Sequence, residues 1–76
     1  MTIEKAVQII AKTAPTALAI VERINGEEDQ FRIMGFAFGH SDAISLMRQM
    51  HNRYELDLDL ADLISVESGR FVSWVI

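Results

Sequence analysis

The stretch that decides the fold reads Leu18-Ala19-Ile20-Val21-Glu22-Arg23-Ile24-Asn25-Gly26-Glu27-Glu28-Asp29-Gln30-Phe31-Arg32-Ile33-Met34. Two β-prone runs, 18–21 and 31–34, flank Asn25-Gly26, which is a strong short-range signal for a β-hairpin. A type I′ turn would put four apolar side chains on one face: Leu18, Ile20, Phe31 and Ile33. It would also place Glu22 opposite Asp29, an unfavourable pair of like charges. The competing interpretation is a long loop with apolar anchors, and the sequence leaves both open.

Helical periodicity is clear on both sides of this stretch. Apolar residues recur at i, i+4, i+7 and i+11 from Ile3, which predicts a helix over 2–14 with Thr2 as N-cap and Pro15 beyond its end. A second helix is predicted over 41–54, capped by Ser41 or Asp42. Its expected buried stripe comprises Ala43, Met47, Met50 and Tyr54, widened by Ile44 and Leu46.

The last third of the chain permits more than one structure. Residues 56–64 alternate leucine with aspartate and then change to a helical rhythm, which predicts a short helix with Asp59 as a possible N-cap. Residues 65–76 form either a turn at Ser68-Gly69 followed by a strand over 71–76, or a last helix. Period alone does not decide so short a run.

Composition limits the classes of protein to consider. The chain has 76 residues, half of them hydrophobic, which predicts one small domain over 1–76. A net charge of −4 argues against a nucleic-acid binder. We expect no membrane span, because no apolar run approaches the roughly 18 residues required. Without cysteine or a signal-peptide pattern, the expected state is a cytoplasmic monomer.

Gly39-His40-Ser41 is the motif with the most chemical content. A hydroxyl at a helix N-terminus lies where backbone N–H groups point outward, so a phosphate ester on Ser41 would be well placed. His40 and His51 would lie about 16 Å apart along one helix, too far to share a metal. The aspartates of 57–62 lack the glycine and closing glutamate of a calcium loop. Hydrolytic or redox catalysis is therefore not expected, and the chain is not predicted to be an enzyme.

Four stretches, 2–10, 41–46, 52–58 and 62–72, resemble in their order the acyl and peptidyl carrier proteins. Gly39-His40-Ser41 partly matches the Gly-Gly-His-Ser attachment motif of peptidyl carriers, with one glycine missing. The resemblance implies an all-α fold, a small four-helix bundle with a long first loop. It also implies an acyl or aminoacyl thioester carried on 4′-phosphopantetheine at Ser41, beside Gly39 and His40.

The same resemblance implies partners, namely a phosphopantetheinyl transferase and synthase or ligase proteins. They would dock on the second helix through Asp42, Ser45, Leu46 and Gln49. The alternative hypothesis is a small acidic α+β protein without a prosthetic group, built from a helix, a hairpin, a helix and a C-terminal strand. Such a protein would bind or inhibit another protein through an exposed sheet edge or an acidic surface.

Overall fold

A computed structural model of the chain describes residues 1–65 and 70–72. Its elements are α1 (Ile3–Thr13), β1 (Leu18–Ile24), β2 (Glu27–Ala37), α2 (His40–Asn52), β3 (Ala61–Ser65) and β4 (Arg70–Val72). The strands form one antiparallel sheet in the order β2-β1-β3-β4. The fold is therefore α+β, as the alternative hypothesis had it. The all-α four-helix bundle with a long first loop is wrong.

The two helices pack on opposite faces of the sheet. Neighbouring residues of a strand point to opposite faces, and β1 supplies both cores in alternation. Ala19 and Val21 belong to the core under α1, which also contains Ala6, Ile10, Phe31 and Ile64. Ile20 belongs to the core under α2, which also contains Ala37, Ala43, Ile44, Met47, Leu56, Ala61 and Leu63. The apolar run 18–21 thus reflects a central strand covered on both sides.

Of the two alternatives for this stretch, the hairpin at Asn25-Gly26 is confirmed; φ is positive (85°) at Gly26 but not at Asn25, so the turn is not of type I′. The predicted register is wrong, because it shifts between Arg23 and Ile24 and again between Ile20 and Val21. Glu22 consequently lies opposite Arg32, which replaces the expected like-charge pair with opposite charges. The shifts also send Phe31 and Ile33 to the α1 face, whereas Ile20 belongs to the α2 face.

The two predicted helices exist, but only α1 has the N-terminal cap that the sequence predicts. The Thr2 hydroxyl accepts from the Lys5 N–H at 3.3 Å, which confirms the expected cap of α1. α2 has Gly39 as N-cap with no side-chain cap bond, so the prediction that Ser41 or Asp42 caps it is wrong. Tyr54, expected in the buried stripe, lies beyond the end of α2 and is 98% exposed.

The short helix predicted over 56–64 is wrong, because this region supplies β3. Pairing with β1 places Leu63 in the core under α2 and Ile64 in the core under α1. Asp59 caps no helix; its N–H donates to Asp57 Oδ1 at 2.9 Å in the turn that precedes β3. At 70–72 the chain forms β4, as the strand alternative required, while the Ser68-Gly69 turn and residues 73–76 lie outside the described residues.

Candidate protein-binding edge

β2 lies at one end of the sheet, with β1 on its inner side. On its outer side, Phe31 exchanges both backbone hydrogen bonds with Met1. The Phe31 N–H donates to the Met1 oxygen at 2.7 Å, and the Met1 nitrogen donates to the Phe31 oxygen at 3.1 Å. Such a mutual pair is the pattern of an antiparallel ladder. Met1 therefore acts as a one-residue strand added to the edge of β2.

Beyond this pair, the outer edge of β2 is open toward the C-terminal end of the strand. Within residues 1–65 and 70–72, no strand pairs with the outer side of the run 32–37. Natural edge strands are usually protected by lysine, proline or an inward-pointing charge. The run 33–37 reads Ile-Met-Gly-Phe-Ala and contains none of these, and its one protective feature is the register shift near Met34. We name the run 33–37 the open edge.

Half-buried apolar side chains accompany the open edge on the α1 face of the sheet. Ile33 and Phe36 of β2 and Ile3 and Val7 of α1 all pack against the core under α1 without being fully covered. Ile3 also lines a depression that reaches Asp29 of β2, so this flank of α1 is the one turned toward the edge. An added strand would cover more of these apolar side chains.

The α2 face has a similar border. Met34, Leu46 and Met50 are half-buried and pack against the core under α2. Gly35 lies beneath them: a Cβ atom at Gly35 would come within 3.0 Å of Met50 Cε and 3.8 Å of Leu46 Cδ2. Gly35 thus lets α2 approach the edge strand closely. Just past β2, Phe38 is 75% exposed and extends the apolar surface.

An acidic depression lies beside Met1, at the other end of the open edge. It has a volume of about 270 Å³ and is lined by Thr2, Ile3, Glu4 and Asp29. Glu4 and Asp29 are exposed, and neither forms an ion pair with any residue that the structure describes. The outer side of β2 therefore offers apolar contacts along 33–37 and negative charge beyond Met1, with the exposed Arg32 and the Met1 amine between them.

The residues predicted to hold and present a prosthetic group lie on α2. Ser41 is exposed in the first turn of the helix, next to His40 and after the N-cap Gly39. Asp42, Ser45 and Gln49 are exposed on one side of α2, whereas Leu46 is half-buried against the core. Attachment of phosphopantetheine to Ser41 stays a prediction. Intact mass after incubation with coenzyme A and a phosphopantetheinyl transferase, with Ser41→Ala alongside, checks it.

A second concavity lies where α2 ends. It measures about 360 Å³ and is lined by Glu22, His51, Tyr54, Glu55, Leu56 and Asp57. Glu22 accepts from the Asp57 N–H at 2.8 Å, and His51 Nδ1 lies 3.2 Å from the Leu56 oxygen. Tyr54 has φ 61°, in the left-handed region that glycine favours at helix ends. Backbone bonds from the Tyr54 N–H to the His51 oxygen and from the Glu55 N–H to the Met50 oxygen help to close this end.

The surroundings of Asp62 shift the pKa of its carboxyl group. Partial burial raises the pKa of Asp62, and the nearby Arg23 guanidinium lowers it to a smaller extent. Arg23 Nε lies 3.6 Å from Asp62 Oδ2, within ion-pair distance but too far for a hydrogen bond. Arg23 lies on β1, next to β2, and Asp62 lies on β3, two strands away from the open edge.

Sequence reasoning named an exposed sheet edge but none of its residues. The apolar character of 31–38 was visible, yet the strand order that leaves β2 outermost depends on pairing between β1 and β3. Among the described residues, no cluster of acidic and histidine side chains fits a metal ion, and no helix is long and apolar enough to cross a membrane. No protein-family model matches the chain, and no curated protein or solved structure matches it significantly.

Proposed function

We propose that this chain is a non-enzymatic protein-binding module that accepts an extended segment of a partner protein as an additional strand on the open edge, 33–37. The observation that carries the proposal is the position of β2 at the end of the sheet with no protective residue in that run. Strand addition of this kind is a common mode of peptide recognition, in which backbone bonds supply affinity and alternate side chains supply specificity.

The surroundings of the open edge support strand addition over a flat docking surface. Ile33 and Phe36 border it on the α1 face, and Met34 borders it on the α2 face. An added strand would satisfy outward backbone groups and bury apolar surface on both faces at once. Met1 already pairs with Phe31, two residues before the open edge, in the required antiparallel pattern.

The setting proposed for this module is the cytoplasm, where disulfide-free domains are the rule. The net charge of −4 favours partners with a basic surface. No chemistry is assigned to the chain itself, so its effect on the partner would come from occupying the bound segment, as in a simple inhibitor or adaptor.

Selection of peptides tests the proposal directly. A phage-displayed library of random dodecapeptides would be panned on the folded chain, and the selected peptides synthesised. We expect alternating apolar sequences whose binding slows amide hydrogen exchange along 32–37 and leaves β3 unchanged. Failure to select any peptide, or protection confined to another element, would overturn the proposal.

Two isoleucine-to-lysine variants provide a matched comparison. Ile33→Lys puts a charge at the open edge, the device that natural edge strands use against pairing. Ile9→Lys is the control, since Ile9 is also half-buried but lies on the opposite flank of α1. We expect peptide binding to fall at least about tenfold in Ile33→Lys only. If Ile33→Lys does not fold, Met34→Lys places the same charge on the other border of the open edge and serves in its place.

A further inference from the structure

The edge also specifies which segment it would accept. Resting on the proposed function, we infer that the partner segment is a short apolar strand that runs antiparallel to β2 and is followed at its C-terminal end by a lysine or arginine, which lies in the acidic depression of Glu4 and Asp29. A different observation determines the length of the segment, its direction along β2 and the charge at its C-terminal end.

Length follows from the two ends of the open edge. Met1 occupies the position opposite Phe31, and α2 begins at His40 soon after β2 ends at Ala37. The open edge, 33–37, spans about 17 Å at the usual rise of about 3.3 Å per residue. A segment that pairs along it is therefore short, and the chain on either side must leave the sheet.

Direction follows from Met1. Its mutual pair with Phe31 shows that the edge accepts antiparallel pairing at that position. A segment that continues the same ladder begins opposite Ala37 and ends near Arg32, next to Met1. Its C-terminal end therefore lies next to the Met1 nitrogen, and a long side chain there extends past Met1 to the acidic depression beside Thr2 and Ile3.

Charge follows from the lining of that depression. Glu4 and Asp29 bring two carboxylates to it, both exposed and without ion-pair partners in the described part of the chain. Basic side chains have long apolar stems, which suit the half-buried Ile3 beneath. A lysine or arginine at the C-terminal end of the segment meets both requirements, because its long side chain passes the Met1 amine and brings its charge to the two carboxylates.

A second library isolates the charge from the strand pairing. It would fix an alternating apolar core and randomise the residues on both sides of it. We expect lysine and arginine to be enriched after the core and not before it. Enrichment before the core, or none on either side, overturns this inference, while binding of the core alone continues to support the proposed function. If no peptide is retained, both fail.

Two double variants with the same change in net charge complete the test. In Glu4→Gln/Asp29→Asn, a selected basic peptide should bind about three- to tenfold more weakly, the size expected for two exposed ion pairs, and high salt should reduce the difference. Glu27→Gln/Glu28→Gln is the control, because those carboxylates line a different depression with Arg23. Equal losses in both would overturn the inference.

A second copy of the chain is the alternative ligand that an apolar edge strand could bind. Sedimentation equilibrium of the parent and of Ile33→Lys distinguishes it. A monomer in both agrees with the inference, whereas a parent dimer that Ile33→Lys dissociates would assign the edge to a second copy and overturn the inference.

Discussion

The central strand β1 pairs with a regular strand on one side and an irregular strand on the other. Toward β3 the register runs unbroken from Leu18 opposite Ser65 to Glu22 opposite Ala61. Toward β2 it shifts once along the same residues, between Ile20 and Val21, and again between Arg23 and Ile24. β3 is an inner strand with Ala61, Leu63 and Ile64 buried, so a one-residue slip would turn these side chains to the wrong faces. β2 can contain extra residues because, in the described part of the chain, no strand pairs with its outer side along 32–37.

The largest test of this difference truncates one isoleucine on each strand. Ile64→Ala on β3 removes a fully buried side chain and should lower the free energy of unfolding by about 3 kcal/mol. Ile33→Ala on β2 removes a half-buried one and should cost about 1 kcal/mol. Urea unfolding followed by far-UV circular dichroism measures both. Equal losses would show that β2 is held as tightly as β3.

Gly35 permits a second test, on the irregular side of β1. Gly35→Val would press against Met50 and Leu46 of α2 and should lower the free energy of unfolding by about 2 kcal/mol. Met50→Ala makes room, so Gly35→Val should cost clearly less in that background. A double-mutant cycle in urea measures the coupling. Additive effects would mean that α2 does not press on β2 at this position.

The turn between β1 and β2 gives a smaller effect. Gly26 has φ 85° with open space around it, so Gly26→Ala should cost about 1 kcal/mol through backbone strain alone. Asn25→Ala changes the same turn without altering the glycine and serves as the control. Thermal unfolding measures both. A neutral Gly26→Ala would indicate that the turn relaxes to another type.

On β3, which pairs regularly with β1, Asp62 lies opposite Val21, and its charge lowers the stability of the folded state. Burial raises the pKa of Asp62 more than Arg23 lowers it, so the folded state binds a proton more readily than the unfolded state. Above both pKa values the carboxylate therefore costs stability, and this cost disappears as pH falls through the folded pKa. Asp62→Asn should be more stable than the parent at pH 7, by an amount that shrinks toward pH 4. Urea unfolding across that range checks it, and a difference that grows instead would contradict it.

The features predicted correctly are those that depend on interactions between residues close together in the sequence. Helix α1 with its Thr2 cap and the Asn25-Gly26 hairpin follow from spacing and turn chemistry within a few residues. The spacing of Leu60, Leu63 and Ile64 fits a helix or a strand, and pairing with β1 decides for the strand. Tyr54 fitted a helical stripe, but the chain turns to positive φ there and leaves the helix.

The candidate site was less predictable than the fold. A strand becomes an edge only through the order of the whole sheet, and that order depends on contacts between residues far apart in the chain. The alternating charge at 56–62 concealed β3, so the sequence offered no means of deciding which strand is outermost. The resemblance to carrier proteins depended on four short stretches, and the last of them, 62–72, contains most of β3 and all of β4 where the carrier fold requires helices.

The pair between Met1 and Phe31 has a practical consequence for work with this chain. Antiparallel pairing continues residue by residue, so any residue joined before Met1 would come next to Arg32, and the one before it next to Ile33. A fused leader or affinity tag at that end would be an intramolecular competitor, present at an effective concentration in the millimolar range. Tests of the proposed strand binding therefore require a chain without an N-terminal fusion, and under that proposal a deliberately chosen leader would block the edge.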